Sequence, residues 1–252
     1  MHKAVEQPEY EWMYHSEDWH WWFVSRRRLV NRLFERYLPD DSTRLILDVG
    51  CGTGANLAML TDWGCAFGLD INPLALNLTR HRSLTRLTQA SGLVLPYPSQ
   101  NFGLVTCFDV LYHQWMVDDA RVLAEFYRVL QPGGWLLLTN PALPALRSIH
   151  DEVYYTRRRY TVSDVRQQLA EAGFQVHFCS YIYCLLLPVF ATLRLSSRWL
   201  PAFSQADRRP LPAWLNRWLI GLQNLELIWL LRGGMLPLGS SLMCLAQKAE
   251  EQ

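Results

Sequence analysis

No stretch of this 252-residue sequence reaches the roughly 18 consecutive apolar residues that a membrane-crossing helix needs. The longest candidate, residues 181–193, is short and broken by Pro188. The six cysteines, Cys51, Cys65, Cys107, Cys179, Cys184 and Cys244, contain no C-x-x-C pair. Their scatter indicates neither a zinc site nor a disulfide framework, so free thiols in a reducing cytosol are expected. Neither sign of charge dominates: 24 Lys and Arg face 23 Asp and Glu. A net charge of +1 gives no general electrostatic case for nucleic-acid binding. The start of the chain lacks the basic-then-apolar pattern of a secretory signal, which makes a cytoplasmic location the expectation. Half of the residues are hydrophobic, too many for a disordered chain.

What the sequence has in excess is tryptophan, 11 residues. Residues 1–24 hold Tyr10, Trp12, Tyr14, Trp19, Trp21, Trp22 and Phe23, with Trp12, Trp19, Trp22 and Phe23 roughly on one helical face. Ser25 is expected to cap a following helix with Leu29, Val30, Leu33, Phe34 and Tyr37 inward, ended by Pro39. An alternating pattern then begins. Strands are predicted at 44–49, 66–69, within 84–94, at 104–108, 135–139, 174–181 and 241–247. Helices are predicted at 55–61, from Pro73, after Asp118, and at 161–173. Strand-helix alternation implies a mostly parallel sheet covered on both faces.

The chemistry concentrates at Leu45 to Gly54, where an apolar strand feeds a glycine-rich turn that opens a helix. Asp70 ends the next strand, where a carboxylate can accept both hydroxyls of a ribose. Gly50, Gly52 and Ala55 also satisfy the loose G-x-G-x-x-[GA] dinucleotide pattern, which is weak evidence alone. Asp48 inside the motif favours a cationic ligand group over a pyrophosphate, and Gly54 falls one residue early for the dinucleotide pattern.

These segments together resemble the class I S-adenosylmethionine-dependent methyltransferases. Leu47 to Gly54 (LDVGCGTG) resembles their first motif and Gly68 to Ile71 their second. Leu95-Pro96-Tyr97, Asn101-Phe102 and Val105 to Val110 resemble the approach to the fourth strand. Arg128 to Gly134 and Ala172-Gly173-Phe174 resemble the segments before the fifth and sixth. The resemblance implies a Rossmann-like seven-stranded α/β sheet with its last strand antiparallel. It implies S-adenosylmethionine as cofactor, lined by Gly50, Cys51, Gly52 and Gly54. Asp48 would help hold the amino group through the loop, Asp70 the ribose, and Ile71 the adenine. Ser91 and Gly92 stand where many relatives place an adenine-binding aspartate, and Gly103 where an aspartate often follows Phe102. A narrower likeness to a bacterial subgroup rests on His20 to Phe23, Arg26-Arg27, His150 to Val153, Arg158 to Thr161 and Leu236 to Ser241.

In an open α/β sheet the site lies at the carboxyl ends of the strands. After strand four this singles out Asp109, on the cofactor side, and Tyr112 and His113. His113 is the first candidate for a base or acceptor-orienting group, weighed evenly against a structural histidine. Tyr14, His20 and Trp22 are candidates for a lid, although most of the N-terminal aromatics are expected to pack on the core. Arg157 to Arg159, and likewise Arg26 to Arg28, are expected to be a solvated face or structural ion pairs rather than an anion site. No metal is expected, because Asp118 and Asp119 read as helix-capping residues.

The domain reading is an N-terminal lid or cap over 1–40, a cofactor-binding core over 41–182 and 241–252, and a helical insertion over 183–240. The insertion holds four Trp, six Arg and only two acidic residues. It could lie on the inner face of a membrane, form a dimer interface, or cap the sheet over an apolar acceptor pocket; the cap is favoured. The expected function is methyl transfer to a small apolar, aromatic or lipid-like acceptor, by a monomer or homodimer that binds no nucleic acid. The competing classes are a nicotinamide-dependent oxidoreductase using the same turn and a non-catalytic nucleotide-binding pathway protein.

Overall fold

The computed structural model describes residues 7–148, 151–152, 154–197 and 211–250. His150, Val153 and Trp199, which the sequence reading used, lie outside them. Two helices, α1 (Gln7–Ser16) and α2 (Trp21–Tyr37), precede the sheet. The core then runs β1 (Leu45–Val49), α3 (Ala55–Leu60), β2 (Cys65–Asp70), α4 (Pro73–Arg80), β3 (Leu87–Gln89), β4 (Phe102–Phe108), α5 (Asp119–Val129) and β5 (Leu130–Pro141). It continues through α6 (Val162–Glu171), β6 (Phe174–Ile182), α7 (Leu187–Ser197), α8 (Ala213–Leu231) and β7 (Ser241–Lys248).

The seven strands lie in the order β3-β2-β1-β4-β5-β7-β6. β1 to β5 pair in parallel, and β7 runs antiparallel between β5 and β6. Alternation along the central strands sends neighbours to opposite faces. Leu47, Val105 and Leu136 join α5 and α6 on one side. Ile46, Leu104 and Leu137 meet α2, α3 and α8 on the other. Both faces are therefore covered, as a parallel sheet requires.

Local signals set the helix ends. Asp118 caps α5 by accepting from the Arg121 N–H at 3.1 Å. Thr161 and Asp164 form a capping box at the start of α6. Gly103, where an aspartate was expected from the resemblance, lies under Arg44: a Cβ there would come within 2.8 Å of the Arg44 Cγ.

Several expectations are corrected. Ser25 is not a cap: it is buried inside α2, and the cap is His20, whose Nδ1 accepts from the Trp22 N–H at 3.4 Å. Trp21 and Phe23 bury their rings on the core side, so the helix extends one turn further back. The fifth strand is longer than predicted, because it pairs with β7 out to Pro141. Cys179 and Cys244 are not free: they face each other in register across β6 and β7 and form a disulfide. A separation of 65 residues hid a cross-strand pair that only register reveals. Among the described residues no helix is long and apolar enough to cross a membrane.

Candidate active site

A cavity of about 690 Å³ opens at the carboxyl ends of β1, β2 and β4. Its floor is the glycine turn. Gly50 sits at φ +75°, and a Cβ there would run into Val110 at 2.2 Å, so only glycine fits. At Gly52, φ +56°, a Cβ would meet nothing closer than Met13 at 3.7 Å, which leaves the backbone open to a ligand. Asp70 is buried and held on both oxygens: Oδ2 accepts from the Gly52 N–H at 3.0 Å and Oδ1 from the Asn72 N–H at 2.8 Å. A carboxylate keeps further lone pairs after two such bonds, so two hydroxyls can still be received. Ile71, Ser91 and Gly92 line the same end, Ile71 with an exposed side chain.

Asp48 lies one layer beneath the turn and is fully buried. Its Oδ1 accepts from the Thr106 hydroxyl at 2.7 Å, and its Oδ2 has no partner. Burial pushes its carboxyl up to about 7, against the opposing pull of Thr106 and Arg26. Glu17, Asp70 and Asp109 are likewise raised by burial and line the cavity. Four carboxyls in and under one pocket suit a cationic ligand and repel a pyrophosphate.

Arg26 of α2 is the cation of this end. Buried Arg26 pairs with half-buried Asp109, and its guanidinium lies over the Trp22 ring at 4.5 Å and the Phe108 ring at 5.3 Å. Asp109 takes φ +55°, a conformation that non-glycine residues adopt rarely. Its N–H donates to the Thr139 carbonyl and hydroxyl, which holds the strained residue at the end of β4.

Across the cavity His113 is buried against Trp115, ring centroids 4.5 Å apart. Its Nδ1 lies 3.0 Å from the Tyr154 carbonyl, an oxygen that can only accept. The proton is thereby fixed on Nδ1, and the lone pair is on Nε2. Burial lowers the imidazole from 6.5 to about 4. Of the two roles expected for His113, base or acceptor-orienting group, this downward shift favours the orienting one. Tyr112 is pushed well up by burial and stays a neutral phenol.

The N-terminal helices close one wall. Thr53 of the glycine turn donates its hydroxyl to Glu17, between α1 and α2. Arg82 donates to the Thr53 carbonyl at 2.9 Å, to the Tyr14 carbonyl at 3.0 Å, and to both oxygens of Asp18 at 3.0 Å. The Tyr154 hydroxyl donates to Glu9 at 3.0 Å.

Of the fourteen expected site residues, the cavity brings together His20, Gly50, Cys51, Gly52, Asp70, Ile71, Ser91, Gly92, Asp109, Tyr112 and His113. Asp48 and Gly54 lie behind the turn, where Gly54 caps α3. Tyr14 points away, its ring under the Arg82 guanidinium at 4.7 Å. Arg26, Glu17, Tyr10 and Met13 were not foreseen as lining residues. Arg157 and Arg158 pair with Asp119, and Arg159 with buried Asp151, so that run is structural. Asp119 is the hub of those pairs and not a cap. No group of three His, Cys, Asp or Glu among the described residues is placed to hold a metal.

The fold and pocket define a Rossmann-like domain built for a phosphate-free, cationic nucleoside. Residues 47–138 match the family model described as a methyltransferase domain. A Mycolicibacterium smegmatis protein named as a probable S-adenosylmethionine-dependent methyltransferase is 27% identical over 62% of this chain and 60% of its own length. The malonyl-[acyl-carrier protein] O-methyltransferase of Serratia marcescens is 34% identical over 42% of each chain. The chain thus spans about half the length of these relatives. The solved phosphoethanolamine N-methyltransferase 2 of Haemonchus contortus, in complex with S-adenosylmethionine, superposes with a TM-score of 0.58 at 14% identity. That superposition covers 88% of this chain and 52% of the nematode one. Over residues 47–138 the chain is thus similar to a methyltransferase domain, and it shares the fold of solved S-adenosylmethionine-dependent methyltransferases.

Proposed function

We propose that this protein transfers the methyl group of S-adenosylmethionine to a small apolar, aromatic or lipid-like acceptor. The observation that carries the reading is the cavity's second half. Beyond Asp109 and His113 it runs under Leu186, Val189 and Phe190 of the insertion and Leu215, Leu219 and Leu222 of α8. A wall of this kind desolvates an apolar acceptor and offers little to a peptide tail or a nucleic acid.

The cofactor fits the residues present. The unpartnered Asp48 Oδ2 gives a buried negative centre beneath the turn, and Gly52 leaves backbone exposed. We assign the ribose hydroxyls to Asp70, the adenine face to Ile71, and the adenine edge to the Ser91-Gly92 backbone. Arg26 would hold the carboxylate of the methionine moiety, and Asp109 and Asp48 its ammonium side. When bound, the cofactor supplies an electrophilic methyl on a sulfonium. The chain's own part is alignment and exclusion of water. α1 and the Glu17 turn close over the cofactor side. His113 offers Nε2 as an acceptor that orients a hydroxyl or amine, and at about pKa 4 it is not a strong base. The insertion, residues 183–240, acts as the acceptor-side cap. Radiolabelled S-adenosylmethionine offered with an apolar lipid fraction and with water-soluble amines and peptides tests this. Label in the organic phase is expected, and label confined to peptides or nucleic acid would contradict it.

A further inference from the structure

Helix α8 is built inside out. Its polar residues face the protein. Asn216 accepts from the Trp21 N–H and donates to the Trp19 carbonyl, both at 2.8 Å. Glu226 accepts from the Leu185 N–H at 2.6 Å. Gln223 is buried beside them. The opposite face carries Trp214, Trp218, Leu225, Ile228 and Trp229, which fall within one-third of the helical circumference at 100° per residue. All are exposed, Trp214 by 67% and Leu225 by 59%. A helix in contact with water carries its polar stripe outward; a contiguous apolar stripe on the outer side marks an interaction surface.

Among the described residues, the exposed charges of α8 itself are positive. Arg217 and Arg232 are exposed on α8, and its single acidic residue, Glu226, is the buried one. Two exposed arginines of α2 flank the helix, Arg28 donating to Asn224 and Arg36 to the Leu231 carbonyl. The cavity reaches the same face: Leu185, Val189 and Trp218 line it and are also exposed. A protein seated here would close that mouth, whereas a lipid surface would open into it.

We infer that the outer face of α8, with Leu185 and Val189, docks on an anionic lipid bilayer, which delivers the acceptor through the cavity mouth. At 19 residues, about 28 Å long, α8 would lie in the headgroup plane, its tryptophans among the acyl chains and its arginines on the phosphates. The purpose of the docking rests on the apolar-acceptor reading; its test does not, since vesicle binding needs no acceptor.

The test is sedimentation of the full chain with vesicles of phosphatidylcholine, alone and doped with phosphatidylglycerol. Binding to the doped vesicles is expected. It should fall more than tenfold in Trp214→Ser/Leu225→Ser, while the melting temperature and affinity for S-adenosylhomocysteine are retained. Arg217→Glu/Arg232→Glu should abolish the preference for anionic vesicles. If the serine variant does not fold, quenching of native tryptophan fluorescence by brominated lipid reports on the wild type instead. No cosedimentation, or binding unchanged by both variants, would overturn the inference. So would a wild-type dimer that Trp214→Ser/Leu225→Ser dissociates, which would give the face to a second copy. Absent quenching by brominated lipid would overturn it as well.

Discussion

Arg26 carries the sharpest prediction at the scale of single residues. Replacing it with Gln removes a charge-assisted contact, about 1.5–3 kcal/mol, or on the order of 10–100-fold in affinity. S-adenosylhomocysteine should lose that affinity in titration calorimetry. Methylthioadenosine, which lacks the carboxylate, should not; an equal loss for both would make Arg26 structural only. Asp48 gives a pH signature. Burial raises its carboxyl to about 7, so binding a cation competes with binding a proton. Affinity for S-adenosylhomocysteine should therefore rise with pH through about 7, by up to about tenfold per unit below it, and Asp48→Asn should be weaker and flat. His113 has the opposite direction of shift. Its folded value of about 4 lies below the unfolded 6.5. The unfolded-state histidine binds more protons in that window, so its contribution is full above about 6.5 and is lost as pH falls toward 4, while the raised carboxyls of Glu17, Asp48, Asp70 and Asp109 act in the opposite direction. The decline attributable to His113 is on the order of 3 kcal/mol. The gap in urea midpoint between wild type and His113→Gln should shift in the mutant's favour as pH falls from about 6.5 toward 4, which isolates the histidine from the carboxyls.

At the scale of elements, one side chain gathers several of the contacts that fasten the N-terminal pair. Arg82, from the turn after α4, ties the Thr53 carbonyl of the glycine turn to Tyr14 and Asp18 of the lid. Arg82→Met should release α1 without disturbing the sheet. Hydrogen exchange should quicken over residues 7–20 and leave β4 and β5 unchanged, and S-adenosylhomocysteine should bind roughly tenfold more weakly. Unchanged exchange would show that the apolar contacts of α1, such as Tyr10 and Met13, suffice alone. The same elements show what was legible beforehand. The β1 turn, Asp70 and the α5 cap were readable because each rests on neighbours a few residues apart. Arg26 was read within a run expected to be a solvated face or structural ion pairs, and its partner was not legible, since only the packing of α2 across the end of β4 brings it to Asp109. The Cys179–Cys244 bond was hidden for the same reason. Tyr14 was taken for a site residue as a polar member of the N-terminal aromatic segment, and local sequence does not show that its ring packs under Arg82 instead.

Over the whole molecule, two poorly matched halves share one cavity. The sheet side presents carboxyls and backbone to a cation; the insertion side presents leucines and aromatics. The proposed polar cofactor end and apolar acceptor end rest on that division, and the seven-stranded frame supplies only the place where they meet. Most of the frame was visible in the order of motifs from Leu45 to Phe174. The inverted polarity of α8 was not, because its apolar spacing reads equally as a helix with its stripe turned inward.

The central claim is a pocket shaped for a nucleoside that is positively charged and free of phosphate. Titration calorimetry of the intact chain with S-adenosylhomocysteine and, separately, with NAD tests it most directly. The account predicts one-to-one binding of the first and no heat from the second. Saturable binding of NAD with silence toward S-adenosylhomocysteine would contradict it.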